Sequence, residues 1–321
     1  MDSSLDRRQF FARSGAAAAA AGAAALARPA EAGSTPRKPF RFCLNTSTIR
    51  GQKLPLEEEV DLAARAGYDA IEPWIGEIDD YVKRGGSLRD LARRISDRGL
   101  TVESAIGFPE WIVEDEARRQ RGLDEAKRSM ELVKQLGGKR IAAPPVGAQG
   151  QNDALIELPR AAERYRALCE LGQQMEVVPQ AEVWGFSRNM SRLGETAFVV
   201  IEAGHPFGCI LPDIYHLHRG GSGFGGLRQL SGESVQVFHM NDYPAEPPAP
   251  QLNDAHRVYP GDGVAPIPAI LRSLIHPDRT LVLSLELFNP DYWKQDAFQV
   301  AKTGLEKMRS CAAKALEQRS A

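Results

Sequence analysis

From residue 40 onward the sequence repeats one pattern eight times, a short apolar run followed by a longer amphipathic stretch. Such alternation makes the strands parallel, because each strand returns to the sheet through a helical crossover. Eight units spaced by about 30–40 residues favour a single closed (β/α)8 barrel, an α/β fold, over an open doubly wound sheet. The predicted strands are RFCLNTSTI (41–49), AIEPW (70–74), TVESAIGF (101–108), RIAAPPV (140–146), EVVPQAEVWG (176–185), GCILPDIYH (208–216), VQVFHMND (235–242) and LVLSLELF (281–288).

The segments between the predicted strands carry matching signals. Gly67, Gly99 and Gly137 each follow a helical pattern, where a glycine that ends a helix is expected. The first strand and helix are not joined by G-x-G-x-x-G, so a dinucleotide-binding fold has no support. The segment 242–266 is rich in Pro and Ala and is predicted to form a long loop after the seventh strand.

The first residues do not follow the barrel pattern. The twin arginines Arg7 and Arg8 precede an alanine-rich run and a small-residue cleavage pattern that ends at Ala32. This order resembles a twin-arginine signal peptide, which predicts cleavage of residues 1–32 and export of one domain, 33–321, to the periplasm or the medium. An Ala-rich disordered tail is the alternative.

Charge and cysteine content exclude several classes of protein. The formal net charge of −2 argues against a nucleic-acid partner, and no apolar run reaches the length of a membrane span. The four cysteines are widely spaced and form no C-x-x-C pair, so they predict neither a zinc knuckle nor a disulfide scaffold. Cys43 and Cys209 lie in strand-like runs, where a buried small hydrophobic residue is expected.

One carboxylate stands out in the eighth predicted strand. In LVLSLELF every residue except Glu286 suits a strand buried on both faces. An unpaired buried charge costs on the order of several kcal/mol, so Glu286 needs a partner. Glu182, Asp213 and His239 lie near the ends of predicted strands five, six and seven. Because the carboxyl ends of neighbouring strands meet at one end of a barrel, we expect these four side chains to converge.

These residue types suit a divalent cation such as Mn²⁺, Mg²⁺, Co²⁺ or Zn²⁺. Three crowded carboxylates without a cation would repel each other, and some would take up protons. Asp213 or His239 alone would more often be a satisfied polar residue at a strand end. Four ligand-type residues on four consecutive strands are a stronger signal. The sequence therefore predicts one divalent metal ion held by Glu182, Asp213, His239 and Glu286.

The order Glu, Asp, His, Glu on the last four strands resembles the xylose isomerase-like TIM-barrel superfamily. That group includes sugar isomerases, ketose 3-epimerases, inosose dehydratases and endonuclease IV. Three further motifs agree with it: G-[YF]-D-x-I-E at 67–72, D-x-x-H at 213–216, and R-x-x-P-G-[DE]-G at 257–263. The resemblance covers essentially the whole of the predicted mature chain.

The resemblance implies a metal-dependent isomerase or epimerase of a sugar, sugar phosphate or polyol ketone, working through an enediolate. Glu182 and Glu286 would be both metal ligands and the acid/base pair, while His216 and Arg257 would hold substrate oxygens. A dehydratase of an inosose-like substrate would share the first proton abstraction, and the sequence does not separate the two. One position departs from the ketose 3-epimerases, which carry a second Glu where this chain has Arg188.

Further substrate contacts are predicted from residues that follow strand ends. Trp74 and Trp111 are predicted to form an apolar wall for a sugar ring, and Glu72 to bind substrate or to cap a helix. For Trp184 and Phe288, wall and core packing are equal alternatives.

Two other functions are weaker. A hydrolase of the endonuclease IV type needs a trinuclear zinc cluster, but predicted strands one, three and four contain no histidine. A non-catalytic sugar-binding barrel would usually have lost a ligand, and none is missing. The predicted partner is a small sugar or polyol. The sequence leaves open the metal's identity and whether the chain forms a homo-oligomer.

Overall fold

The computed structural model describes residues 38–230 and 232–317. The predicted signal segment, 1–32, lies outside the described residues. Eight strands alternate with helices, as the sequence predicts. The strands are β1 (Phe40–Asn45), β2 (Ala70–Glu72), β3 (Thr101–Val102), β4 (Arg140–Ala143), β5 (Val178–Glu182), β6 (Cys209–Leu211), β7 (Val237–Met240) and β8 (Leu281–Leu285).

Parallel pairing arranges the eight strands into a barrel. One set runs in the order β3-β2-β1-β8-β7 and the other in the order β4-β5-β6. Backbone hydrogen bonds close the first gap, where Ala105 N–H donates to Arg140 O and Ala142 N–H donates to Ala105 O. Parallel bridges between Ile210 and Val235 and between Asp213 and His239 close the second gap. The predicted (β/α)8 barrel is therefore confirmed.

Helices surround the barrel on its outer face. In the described ranges they are α1 (Leu56–Ala66), α2 (Ile75–Lys83), α3 (Leu88–Asp97), α4 (Glu116–Gln135), α5 (Leu158–Met175), α6 (Leu193–Ala203), α7 (Ile214–Arg219), α8 (Ile267–Leu274) and α9 (Ala297–Glu317). The three glycines predicted to end helices all have positive φ, with values of 94° at Gly67, 74° at Gly99 and 80° at Gly137. Within the described residues, no helix is long and apolar enough to cross a membrane.

The predicted strands were too long at their carboxyl ends. After β1 the chain turns into a 3-10 segment, Thr46–Gln52, because Asn45 accepts the N–H of Ser47 and begins the turn. Asp213 similarly begins α7, so His216 lies in a helix and not in the predicted extended strand. These β-compatible residues leave the sheet because polar side chains just before them cap new turns.

The strand period explains where the polar site forms. Cys43, Ala70, Val237 and Val282 belong to one small buried apolar cluster, separate from the core shared by the barrel and the helices. Side chains two residues further along a strand face the same side. Asn45, Glu72, His239 and Ser284 therefore point to the same interior, one layer nearer the carboxyl ends. All four described cysteines are free and buried, which confirms the prediction for Cys43 and Cys209.

Candidate metal centre and active site

Carboxylates gather around the ring of His239 at the carboxyl ends of the strands. Glu182 ends β5 and Glu286 directly follows β8, and each is at most 4% exposed. One ligand atom from each of Glu182, His239 and Glu286 lies within 4.8 Å of the others. His239 Nδ1 lies 3.1 Å from Glu286 Oε2 and 3.9 Å from both Glu182 Oε1 and Asp213 Oδ2. The four predicted ligands thus converge, with Asp213 at the margin of the inner three.

The imidazole of His239 is oriented for a ligand on Nδ1. Its Nε2 lies 3.1 Å from Glu72 Oε2, so that nitrogen is engaged. Its Nδ1 is buried and forms no hydrogen bond of normal geometry with any residue in 38–230 or 232–317. A buried nitrogen left free among carboxylates, with its other nitrogen held by an acid, is the arrangement of a metal-ligating histidine. The site therefore fits the predicted divalent metal ion.

Glu72 does not have the predicted substrate or helix-cap role. Its side chain is completely buried, and Oε2 accepts hydrogen bonds from Asn45 Nδ2 at 2.9 Å and Ser284 Oγ at 2.6 Å. The same oxygen lies 3.1 Å from His239 Nε2. Both the opposite charge and a hydrogen bond across this distance would keep the imidazole ring in place. The carboxylate is not among the residues that line the cavity. Glu72 orients His239.

Asp213 and Arg257 form an ion-paired edge to the centre. Asp213 Oδ1 accepts the N–H of His216, and Oδ2 accepts from Asn241 Nδ2 at 2.7 Å and Arg257 Nη1 at 2.8 Å. Arg257 Nη1 also donates to Glu286 Oε2 at 2.9 Å. These bonds explain why Asp213 stands slightly apart, since both of its oxygens already have donors.

The environments of Glu182 and Glu286 move their pKa values in opposite directions. Burial, followed by the negative charges of Glu286 and Asp213, raises the pKa of Glu182 well above its usual range despite the attraction of His239. Burial would also raise the pKa of Glu286, but His239 and Arg257 outweigh it and the pKa falls below its usual range. Two carboxyl groups whose environments separate their pKa values suit proton transfer.

His216 is held as a neutral ring beside the centre. Its Nδ1 accepts the N–H of Gly185 at 3.3 Å, and its Nε2 lies 3.0 Å from Arg257 Nη2. Burial and the positive charge of Arg257 lower the pKa of His216 to about 3. Because Nδ1 accepts from Gly185, the proton of the neutral ring is on Nε2, and that N–H can donate to a substrate oxygen.

A cavity of about 220 Å³ opens onto these polar groups. It is smaller than a typical drug-sized pocket of roughly 300–1,000 Å³, so it suits a ligand of monosaccharide size. Trp74, Trp184 and Phe288 line it, so each can belong to an aromatic wall, which for Trp184 and Phe288 was one of two alternatives left open by the sequence. The other lining residues are Ile106, Phe108, Glu182, Phe186, His216, Asp254, Arg257 and Glu286.

The wall prediction for Trp111 was wrong. Trp111 is fully buried and lies outside the set of residues that line this cavity. Its indole N–H donates to the backbone oxygens of Pro144 at 2.8 Å and Ala143 at 3.2 Å, and its ring packs against Tyr165. The buried indole is satisfied by the end of β4, which turns it away from the cavity.

Arg188 also lies outside the cavity. It is exposed, its backbone N–H donates to Gln149 O, and Nη1 donates to Gln151 O at 3.2 Å. These two hydrogen bonds connect the loop of Arg188 to the loop of Gln149 and Gln151. Arg188 is not among the residues that line the cavity.

Sequence reasoning missed the supporting residues Asn45, Asn241 and Ser284. Asn45 accepts from Trp74 Nε1 at 2.9 Å and donates to Glu72, and so connects the aromatic wall to the acid beneath His239. Polar residues within apolar strand runs were the available signal, as they were for Glu286. Asp254 was also missed; it lies in a loop, where the sequence offers no comparable contrast.

Comparison with known proteins agrees with this geometry. A family model described as "Xylose isomerase-like TIM barrel" matches residues 60–311. Inosose isomerase from Bacillus velezensis is 27% identical over 277 residues, which make up 86% of this chain and 98% of that protein. 3-Dehydroshikimate dehydratase from Pseudomonas putida is 24% identical over 256 residues, which make up 79% of this chain but 39% of that protein.

A solved structure shares the fold over nearly its whole length. The structure of the IOLI protein with a bound zinc atom has a TM-score of 0.78 and 23% sequence identity. The match covers 86% of this chain and 99% of that one.

Proposed function

This chain belongs to the xylose isomerase-like TIM barrel family, and on that premise we propose that it is a divalent-metal-dependent isomerase or epimerase of a small polyol ketone. The observation that carries the proposal is the buried Nδ1 of His239, which lies 3.1–3.9 Å from the carboxylates of Glu182, Asp213 and Glu286, two of which line the cavity. Relatives that are named inosose isomerases support the same class of reaction.

Glu182, His239 and Glu286 would hold the metal, with Asp213 beside them. When bound, a divalent cation supplies Lewis-acid polarisation of a carbonyl group and its neighbouring hydroxyl. The donor set of carboxylates and one imidazole suits such a cation. Glu72 keeps the imidazole in the orientation in which Nδ1 faces the carboxylates.

Proton transfer at carbon is assigned to Glu182 and Glu286. One carboxylate would take the proton from the carbon beside the carbonyl group, and the same or the other carboxyl group would return it. Return to the opposite face of that carbon inverts it. Return to the former carbonyl carbon moves the carbonyl group, provided that the hydroxyl proton passes to the former carbonyl oxygen. Arg257 holds Glu286 by a 2.9 Å hydrogen bond, which fixes that carboxylate toward the reacting carbon.

The remaining cavity residues would bind and enclose the substrate. His216 can donate a hydrogen bond to a substrate oxygen, while Trp74, Trp184 and Phe288 offer apolar faces to the C–H groups of a ring. Arg257 is only 1% exposed, so its main role would be to hold the carboxylates of Asp213 and Glu286 in position, and contact with the substrate would be secondary. Export through a twin-arginine signal is a further part of the proposal, supported by Arg7 and Arg8.

Deuterium uptake tests the proposal. The Mn²⁺-loaded protein is incubated in D₂O with ketoses, ketose phosphates and inososes, and each compound is followed by mass spectrometry. We expect a gain of one deuterium without a change of formula in at least one ketone, and no gain with the Glu286→Gln variant. Absence of uptake from the whole panel, with metal bound, would contradict the proposed reaction.

A dehydratase is the second candidate, supported by the similarity to 3-dehydroshikimate dehydratase. It would use the same carboxylates for the first proton transfer and then release a hydroxyl group as water. Deuterium uptake accompanied by loss of water in the same experiment would select this function.

A further inference from the structure

Arg50 lies at the carboxyl end of the barrel, in the 3-10 segment that follows β1. Its guanidinium carbon lies 3.7 Å from the centre of the Trp74 ring and 5.6 Å from the centre of the Phe288 ring. Both rings line the cavity of the candidate site. Two aromatic side chains of the cavity wall therefore hold this planar cation beside them, while Arg50 itself is not among the residues that line the cavity.

The donors of Arg50 are not used within the protein. Across the two described ranges, its guanidinium forms no hydrogen bond or ion pair with an acceptor. The neighbouring carboxylate of Glu77 is engaged elsewhere, since Oε2 accepts from Thr46 Oγ1 at 2.6 Å and from Trp74 N–H at 3.0 Å. Glu59 adds little negative charge, because burial and the charge of Glu77 raise its pKa to about 9. A half-buried guanidinium is thus left without a direct hydrogen-bonding partner among the described residues, although the charges of Glu77 and Glu286 act on it.

Arg257 cannot take that role for a substrate, because its own donors are occupied. Nη1 donates to Asp213 and Glu286, Nη2 and Nε both donate to Asp254 Oδ1 at 2.8 and 3.0 Å, and the second N–H of Nη2 is covered by His216, whose Nε2 lies 3.0 Å away. Arg257 and Arg50 therefore differ in whether their N–H donors are used within the protein. Arg257 is bound to the acids of the centre, and Arg50 presents free donors beside the aromatic wall.

We propose that Arg50 binds a carboxylate group of the substrate, which makes the substrate a ring-shaped polyol ketone that bears a carboxylate. This inference rests on the proposed function and narrows its substrate class. A guanidinium presents paired N–H groups that match the two oxygens of a carboxylate. Phosphate sites commonly add backbone N–H groups at a helix N-terminus, and here one side chain supplies the donors. A carboxylate on the Trp74 side would place the ring against the indole and its carbonyl group toward Glu182 and Glu286.

Binding of a matched pair of compounds tests the proposal without turnover. Shikimate, a ring polyol acid, and its uncharged methyl ester are titrated by calorimetry into the full chain loaded with Mn²⁺. We expect the acid to bind about 10- to 100-fold more tightly, the gain typical of a charge-assisted contact. Arg50→Gln should reduce acid binding to the level of the ester, and Arg50→Lys should restore part of the difference.

Arg65→Gln is the matched control, because Arg65 also stacks on an aromatic ring, that of Phe298 at 4.8 Å, but outside the cavity. It should keep the full preference for the acid. The proposal is overturned if the wild-type protein binds the ester as tightly as the acid or binds neither, or if Arg50→Gln keeps the preference.

Deuterium uptake separates this inference from the proposed function. Uptake from uncharged inososes by a protein with no preference for the acid would remove the role of Arg50 and leave the isomerase. A preference for the acid that depends on Arg50, without uptake from any ketone, would keep the carboxylate site and contradict the isomerase.

Discussion

The carboxylate beneath His239 gives the sharpest test of the metal centre. Glu72 Oε2 lies 3.1 Å from His239 Nε2 and accepts hydrogen bonds from Asn45 and Ser284. Removing an acid that orients a metal-binding histidine typically weakens metal binding by about 10- to 100-fold, or about 1.4–2.7 kcal/mol. In Glu72→Gln the amide oxygen can still accept from Nε2, so we expect a loss near tenfold. Glu72→Ala leaves three donors without an acceptor, and we expect a loss near 100-fold together with lower stability.

Metal affinity is the quantity to measure, by competition between the protein and a chelator of known affinity for Mn²⁺ or Zn²⁺. Glu103→Gln is the control, since Glu103 pairs with Arg41 and Arg140 and does not contact His239. That variant should bind metal like the wild-type protein even if it unfolds at a lower temperature. Glu72 variants with unchanged metal affinity would refute the argument that this carboxylate orients the ligand.

Four further groups have expected effects of different kinds. Glu286→Gln should slow deuterium uptake by about 100- to 10,000-fold while the circular dichroism spectrum is kept, and the exposed control Glu306→Gln should not. Asp242→Asn should lower the free energy of unfolding in urea by about 2–6 kcal/mol, because Oδ1 and Oδ2 each accept two backbone N–H groups and the amide nitrogen can accept neither of its pair. Trp111→Phe should lower that free energy by about 1–4 kcal/mol, because it removes a buried hydrogen bond and leaves a cavity beside Tyr165, and it should leave uptake unchanged. Asp61 has a pKa lowered to about 2 by hydrogen bonds from two arginines. Its contribution to stability is therefore full above about pH 4 and is lost as the pH falls toward about 2, a slope that Asp61→Asn should remove from acid unfolding curves.

Each of these expectations can fail clearly. Uptake retained by Glu286→Gln would remove that carboxylate from proton transfer. A loss below about 1 kcal/mol in Asp242→Asn would mean that the four backbone bonds do not hold the loop as their geometry indicates. Slower uptake in Trp111→Phe would place the indole in the active site after all, and an unchanged acid slope in Asp61→Asn would show that its ion pairs do not persist in solution.

The barrel could be predicted because the spacing of the apolar runs and the positions of the helix-ending glycines agree over most of the chain. Runs such as LVLSL are apolar on both faces, and glycines such as Gly67 end helices at positive φ. The strand ends could not be predicted, because the residues that follow β1 and β6 also suit a strand. Asn45 and Asp213 end those strands by capping the next turn, a choice that depends on side-chain hydrogen bonds in the folded chain.

The ligand-type residues could be predicted, but the roles of their neighbours could not. Glu182 and Glu286 stand out chemically in apolar surroundings. Glu72 also stands out, yet whether it faces substrate or His239 depends on register across several strands. Pairing places Asn45 beside Glu72 and His239 beside Ser284, and those contacts alone make Glu72 an orienting group.

Charge balance links the metal centre to the unpaired arginine. Four buried acids, Glu72, Glu182, Asp213 and Glu286, lie around one imidazole and the Arg257 guanidinium. A ligating imidazole is neutral, so the acids exceed the protein's own cation there, and a divalent metal ion offsets that excess. Arg50 stands outside this ion-paired group, since its guanidinium stacks on Trp74 and Phe288 and makes no direct pair with an acid among the described residues. A substrate carboxylate would pair with Arg50, as the metal ion would pair with the excess acids. The two charge pairs involve different residues, so metal affinity and preference for the acid should respond to different substitutions.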